Sequence, residues 1–355
     1  MRATLNALLN GLAVLALGLF IWWADENLDG YSIQILNLIA VNIILALSLN
    51  LIYGFTGLFS LGHAGFMAIG AYVCSTLILA PEQKDMLFIL EPAYDWVVAA
   101  QAPFFLAVVA GGLVASLFAV IVGIPLLRLG DDYLGMATLG FAEIVRIFAI
   151  NLPRVTNGAL GFKGIPDYAN LWWNFGWCVF TLVFLIRLIR SNTGNVFKAI
   201  RDDETAAKAM GVDVFRVKLL SFTIGAFFAG VGGALLGSLV ATIDPKMFTF
   251  VLTFNVLMIV VTGGLGSLKG SVLAGIVITI MLEWLRIVEN PIGFGEWELK
   301  GIPGMRMVVF SLGLIFIILF RREGFMGKRE FSWDGVFGDN GILRRIFKKA
   351  GRHAA

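Results

Sequence analysis

Charged residues are scarce in this 355-residue chain, where Asp, Glu, Lys and Arg make up 14% and apolar residues 59%. Runs of about 20 apolar residues recur along the sequence, and a helix needs about that length to cross a bilayer. The pieces between the runs are too short to build a hydrophobic core of their own. The composition therefore excludes a hidden soluble domain and predicts an all-α polytopic membrane protein.

Cysteine and histidine are rarer still, with two residues of each. Cys74 and Cys178 both fall inside apolar runs, so we expect buried free thiols and no disulfide. No group of His, Cys or Asp has the spacing of a metal or nucleophilic site, and no Gly-x-x-x-x-Gly-Lys-Ser/Thr loop is present to hold a nucleotide. We expect no catalytic, metal or cofactor site in this chain, which argues against an intramembrane enzyme. The net charge of +3 gives no sign of a nucleic-acid partner.

About ten apolar runs qualify as membrane spans. The first follows Arg2 but lacks a small-x-small cleavage site, so we interpret it as a retained span. The eighth is short enough to be tilted or re-entrant. The predicted spans are Leu5–Trp23, Ile33–Tyr53, Leu58–Ala80, Pro103–Leu127, Tyr133–Asn151, Trp172–Ile189, Val217–Ala241, Phe250–Val261, Ser271–Val288 and Met305–Phe320.

The distribution of Lys and Arg predicts the orientation, because positive residues are retained on the cytoplasmic side. With the N-terminus inside, 19 of the 27 Lys and Arg residues fall in inner loops or the tail, and six fall outside. Both termini and the connector between spans six and seven, residues 191–216, are then cytoplasmic. We divide the chain into a membrane domain, 1–320, and a basic tail, 321–355. The tail either lies on the anionic inner leaflet as a basic helix or only enforces topology.

The connector is the longest strongly charged interruption of the apolar pattern. Thr193 can cap a first short helix, and Asp202 or Asp203 a second that runs from Glu204 to Met210 and stops at Gly211. Small residues on the second helix would let a partner surface approach the backbone closely: Ala206, Ala207, Ala209 and Gly211. The alternative is a surface helix that lies against its own membrane domain.

Several polar residues lie inside the spans, where they are costly. Asn42 and Asn50 share one face of span two, and Glu143 and Arg146 form an i, i+3 pair in span five. We interpret these four as candidates to line a translocation path. The alternative is hydrogen bonding between spans for the asparagines, and a structural ion pair for Glu143 and Arg146.

Three further features favour structural roles. Glu283 and Arg286 repeat the i, i+3 spacing in span nine, which we interpret as a structural ion pair. His63 lies near the predicted inner surface, so we expect no direct contact with substrate. The seventh span carries small residues at four-residue spacing, which predicts helix packing within the chain or against a partner subunit: Gly225, Ala229, Gly233 and Gly237.

Several phrases, in the right order, resemble the branched-chain amino acid ABC importer permeases of the LivM type. They are Ala46–Phe66, Tyr133–Arg146, Arg201–Gly211 and Gly263–Gly270, within a region from Ile33 to Gly324. In the connector, Ala206, Ala207 and Gly211 match the EAA loop of importer permeases. Thr205 takes the place of its Glu, and Glu204 stands one residue earlier, a departure typical of this branch.

The resemblance implies a permease that pairs with a second related permease, two ATP-binding cassette subunits and an extracytoplasmic binding protein. ATP and Mg would sit on the partner subunits, and this chain would bind no cofactor. The connector would be the coupling helix seated on one ATPase. The residues implied are Lys198, Ala199, Ile200, Arg201, Asp202, Asp203, Glu204, Thr205, Ala206, Ala207, Lys208, Ala209, Met210, Gly211 and Val212.

The substrate and the energy source have alternatives. The family's commonest substrates are branched-chain amino acids, but related permeases are thought to carry urea or amides. A secondary transporter driven by an ion gradient is the alternative of a different class. Such proteins keep acidic or histidine relays deep in the membrane, whereas the deep carboxylate Glu143 has Arg146 within reach.

Overall fold

The computed structural model describes residues 2–88, 91–129 and 131–285, with the short pieces 292–294, 297–299, 304–305, 308–309 and 311–312. These residues are largely helical, as predicted for an all-α membrane protein. The α-helices of the described residues are α1 (Arg2–Asn27), α2 (Gly30–Asn50), α3 (His63–Ile78), α4 (Pro81–Leu87), α5 (Asp95–Ala99), α6 (Phe104–Leu126), α7 (Asp131–Asn151), α8 (Pro153–Thr156), α9 (Leu171–Arg190), α10 (Asn192–Asp202), α11 (Glu204–Ala209), α12 (Val214–Val240), α13 (Phe250–Gly263) and α14 (Leu268–Trp284). A π-helical turn, Leu51–Phe55, extends α2, and a 3₁₀ turn covers Gly158–Leu160.

Five of the described helices are long and apolar enough to cross a membrane, and a sixth span results if the bent pair of α3 and α4 is counted as one. The two members of that pair meet at 119°. The third span is shorter than predicted, because the chain after the π turn is irregular and α3 begins only at His63. The number ten stays a prediction. Most of the tenth span, Arg286 and the tail lie outside the described residues.

The helices α3, α6 and α12 pack tightly against one another. Gly70 of α3 lies directly against the backbone of Gly230 in α12, and Gly111 of α6 lies against Gly70. A side chain at Gly70 would collide with the Gly230 backbone. Small residues let membrane helices approach to backbone contact, which maximises van der Waals packing.

The small-residue stripe of α12 takes part in this core. Gly233 lies against the backbone of Met67, Gly225 against Ile52, and Ala229 is fully buried. The predicted packing role is confirmed. Its contacts lie within the chain, so the alternative of a partner subunit is wrong for these residues.

Several other helices pack on this core or on one another. The helix α7 packs on α3 and α6, while α13 and α14 form a pair joined by the turn from Gly264 to Ser267. Two short antiparallel strand pairs complete the described part: β1 (Phe162–Lys163) with β2 (Thr242–Ile243), and β3 (Ile292–Phe294) with β4 (Trp297–Leu299). Cys74 and Cys178 are buried free thiols, as predicted.

Candidate functional site

The connector leaves α9 through a tight corner. Ser191 takes the capping position of α10, and its hydroxyl donates to the carbonyl oxygen of Leu188 at 2.6 Å. Thr193 therefore lies inside the first turn, and its predicted role as a cap is wrong. Gly194 lies against the backbone of Ile189, where any side chain would collide. This glycine lets α10 fold back directly onto the end of α9.

One face of the connector is buried against its own chain. Phe197 is fully buried, and Ile200 forms a small apolar cluster with Ala207 and Val214 at the start of α12. Burying this face removes apolar side chains from water and holds α10 and α11 against the start of α12. The alternative interpretation, a helix that lies against its own domain, therefore holds for this face.

Local capping sets both ends of α11. The Asp203 carboxylate accepts a hydrogen bond from the amide of Ala206 at 2.9 Å, which identifies Asp203 as the predicted cap. At the other end Gly211 adopts a φ of +84°, and its amide donates to the carbonyl oxygen of Lys208 at 3.0 Å. A left-handed residue at a helix end favours glycine because it has no Cβ. The predicted stop at Gly211 is confirmed.

The opposite face of α11 is open. Its exposed residues are Thr205, Ala206, Lys208, Ala209, Met210 and Gly211. Met210 is 85% exposed, whereas Ala207 is only 5% exposed and packs inward. Ala207 therefore faces away from the exposed side of α11, and its part in coupling stays a prediction. We call the six exposed residues the α11 surface.

An ion pair network joins α11 to α12. The Glu204 carboxylate lies 2.7 Å from the ammonium of Lys208 and 2.6 Å from that of Lys218. Hydrogen bonds from Lys208 and then Lys218 lower the pKa of the Glu204 carboxyl. The carboxylate is thus held ionised, and it fastens the short helix α11 to the base of the long helix α12.

A second attachment joins α10 to the π turn. The Arg201 guanidinium donates from Nη1 to the carbonyl oxygen of Gly54 at 3.0 Å, while its Nε and Nη2 bind Asp202 at 3.0 and 2.8 Å. Sequence reasoning missed this contact. The closely spaced Gly54 and Gly57 after span two were the signal of an interrupted helix.

The asparagines predicted to line a path both bind α14 or the turn before it. The Asn42 amide donates to the hydroxyl of Thr279 at 2.9 Å. The buried Asn50 donates to the carbonyl oxygen of Ser267 at 3.0 Å and to the hydroxyl of Ser271 at 2.8 Å. Hydrogen bonds between helices, the alternative interpretation, are thus present. Whether substrate passes these residues stays a prediction.

Glu143 and Arg146 lie apart from the asparagines, on α7. Their side chains form the predicted i, i+3 ion pair at 2.7 Å and are 41% and 29% exposed. His63 is buried at the start of α3, where its Nε2 lies 2.9 Å from the hydroxyl of Ser48. Within the described part of the chain, no group of three or more His, Cys, Asp or Glu residues could hold a metal ion.

A known protein family matches most of this chain. Residues 31–319 match the model of a family described as the branched-chain amino acid transport system permease component. The chain belongs to this family. The permease is 30% identical over 329 residues to the high-affinity branched-chain amino acid transport system permease protein LivM of Escherichia coli, an alignment that covers 83% of this chain and 70% of the relative.

More distant relatives match the permease over a similar length. A probable LivM of Methanocaldococcus jannaschii is 25% identical, covering 81% of this chain and 90% of the relative. The permease protein LivH of Escherichia coli is 26% identical, covering 81% and 91%. No solved structure matches the permease. Family and apolar helices together make this permease an integral membrane protein.

Proposed function

We propose that this permease is a non-catalytic subunit of an ATP-driven importer that translocates branched-chain, apolar amino acids. An extracytoplasmic binding protein would deliver the substrate, a second related permease would complete the pathway, and two ATP-binding cassette subunits would hold ATP and Mg. The proposal is supported by the family and by the relatives, whose names specify branched-chain amino acid transport.

The observation that carries the proposal is that the connector has one buried face and one exposed face. Its inner face is buried and pinned by Glu204 and Arg201, whereas the α11 surface is open. We propose that the α11 surface, within Lys198 to Val212, docks in a groove of one ATPase, so that closure of the ATPase pair pushes the connector.

The orientation follows from the same proposal. ATPase subunits work where ATP is, so the connector and both termini would be cytoplasmic, in accord with the excess of Lys and Arg on that side. The path through the membrane is proposed to pass Asn42, Asn50, Glu143 and Arg146. For the pair on α7, the support is partial exposure of charged side chains inside an apolar helix.

Uptake by the reconstituted complex tests the proposal. The permease, its partner permease, the ATPase subunits and the binding protein are placed in liposomes, and radiolabelled leucine and urea are offered separately. We expect leucine uptake that requires ATP and stops when the ATPase carries an inactivating substitution. Leucine uptake that ignores the inactive ATPase but collapses with an ionophore would contradict the proposal and favour a secondary transporter. Urea uptake in place of leucine uptake would overturn only the proposed substrate.

A further inference from the structure

The π turn at the end of α2 is a junction of four segments. It carries Gly54, whose carbonyl oxygen accepts from Arg201 of α10, and it is followed by Thr56, whose hydroxyl lies 2.6 Å from that of Ser221 in α12. Ser221 in turn donates to the carbonyl oxygen of Leu51 at 3.3 Å. The connector, α2 and α12 therefore meet at the π turn.

The fourth segment is the turn between α13 and α14. The Asn50 side chain accepts from the amide of Gly266 at 2.9 Å and donates to Ser267 and Ser271. Gly54 lies so close to Gly266 that a side chain there would collide with its amide nitrogen. Asn50 thus makes two hydrogen bonds to the α13–α14 turn and one to α14, and Gly54 adds a backbone contact with the turn.

Arg201 reaches both parts of this junction. Its Nη1 donates to Gly54, and a Cβ on Gly266 would lie 2.8 Å from the same nitrogen. Asp202 holds the other two nitrogens of the fork, so the guanidinium is fixed in direction. Gly57, with a φ of +82°, leaves the space: a Cβ there would lie 3.3 Å from the Arg201 Cα.

The chemistry suits a stiff attachment. A helix end carries carbonyl oxygens that lack helical partners, and a cation there is favoured by the helix dipole. Charge-assisted hydrogen bonds are roughly twice as strong as neutral ones, and a partly buried one is weakly screened. π turns are rare, and those that occur are often found at functional sites.

We propose that Arg201 is a positioning residue that carries connector movement into α2 and the α13–α14 turn. This rests on the proposed function. Movement of the connector reaches the membrane domain through α9 and α12, which continue it in sequence. Through Arg201 the movement also displaces Gly54, and through Asn50 it displaces α14. Two further membrane helices, α2 and α14, then respond to one movement of the connector.

The test separates coupling from assembly. In the reconstituted complex, leucine uptake is measured per ATP hydrolysed, together with the amount of ATPase that co-purifies with the permease. We expect Arg201→Gln to keep ATPase binding and hydrolysis within about twofold but to lower uptake per ATP about tenfold, the effect of losing one charged hydrogen bond. Arg201→Lys retains the cation and should restore part of the ratio.

A matched control lies in the same connector. Arg216 is 84% exposed in its side chain and pairs with Asp213 on its own helix end. Arg216→Gln should leave the uptake per ATP unchanged. A wild-type ratio in Arg201→Gln would overturn the inference, and so would loss of ATPase binding, because Arg201 would then belong to the docking surface.

Two further outcomes are kept distinct. If Arg201→Gln does not accumulate in the membrane, Gly57→Ala carries the test, because the added methyl group presses on Arg201 and a side chain at a φ of +82° strains the turn that Arg201 binds. A wild-type ratio in that variant overturns the inference. If the unaltered complex shows no ATP-dependent uptake, the proposed function itself has failed. If the unaltered complex takes up leucine and substitution of Arg201 leaves the uptake per ATP unchanged, only the inference about Arg201 is overturned.

Discussion

Small residues do opposite things in two regions of this permease. In the core of α3, α6 and α12, Gly70 and Gly230 are buried and bring backbones of the same chain into contact. On α11, Ala206 and Ala209 are exposed on the surface of the chain. A small side chain therefore shows that a close approach is allowed. Only the fold shows whether the approaching surface belongs to the chain itself or is left open for a partner.

Breaking the core should have the largest effect. Gly70→Leu places a branched side chain where the Gly230 backbone already lies, so we expect a loss of about 3 kcal/mol or more and little folded protein. The measurement is the yield of monodisperse permease in detergent and its thermal unfolding. Gly140→Leu on α7 is the control, since no atom lies within 4 Å of a Cβ there. Equal yields of the two variants would contradict the close contact.

Filling the α11 surface should abolish function and spare the fold. Ala209→Trp adds bulk to an exposed position, so we expect normal yield, loss of ATPase co-purification and at least about tenfold lower leucine uptake, as for a truncated or blocked interface anchor. Ala99→Trp, at an exposed alanine of α5, is the control. Ala207→Trp sharpens the comparison, because it should lower the yield first. Normal uptake by Ala209→Trp would remove α11 from the docking site.

The charged pair of α7 differs from both the core and the α11 surface, because it places polar side chains in an apolar helix. Replacing Glu143 and Arg146 together by Gln removes both charges and leaves no unpaired ion. We expect several-fold lower leucine uptake with unchanged ATPase binding, because the pair is partly exposed and proposed to line the path. Uptake at the level of the unaltered complex would instead show a structural ion pair.

The smallest effect should come from the Glu204 network. Its pKa is lowered in the folded protein, so its stabilisation is present above the unfolded pKa near 4.5 and is lost as pH falls through the lowered value. We expect Glu204→Gln at neutral pH to loosen α11 by about 1 kcal/mol or less, since the carboxylate is partly solvated. Faster amide exchange in α11, with α3 unchanged, is the expected observation. Unchanged exchange would mean that capping alone holds α11.

Much of the connector could be read from neighbouring residues. Asp203 and Gly211 mark the ends of α11 because capping depends on atoms only a few positions away. The burial of Ala207 could not be predicted in the same way. Ala206, Ala207 and Ala209 are chemically alike, and only the packing of α10, α11 and α12 decides that Ala207 contacts Ile200 and Val214.

The sequence by itself determined the class of this protein and most helix positions, because the bilayer demands long apolar runs with internally satisfied backbones. The tertiary structure alone decided which distant groups meet. Arg201 finds Gly54 across 147 positions of the chain, and Asn50 finds Ser267 across 217. Such contacts depend on where glycines let the helices approach and where the ladder of α2 breaks. Neither feature can be predicted from the local pattern of apolar residues.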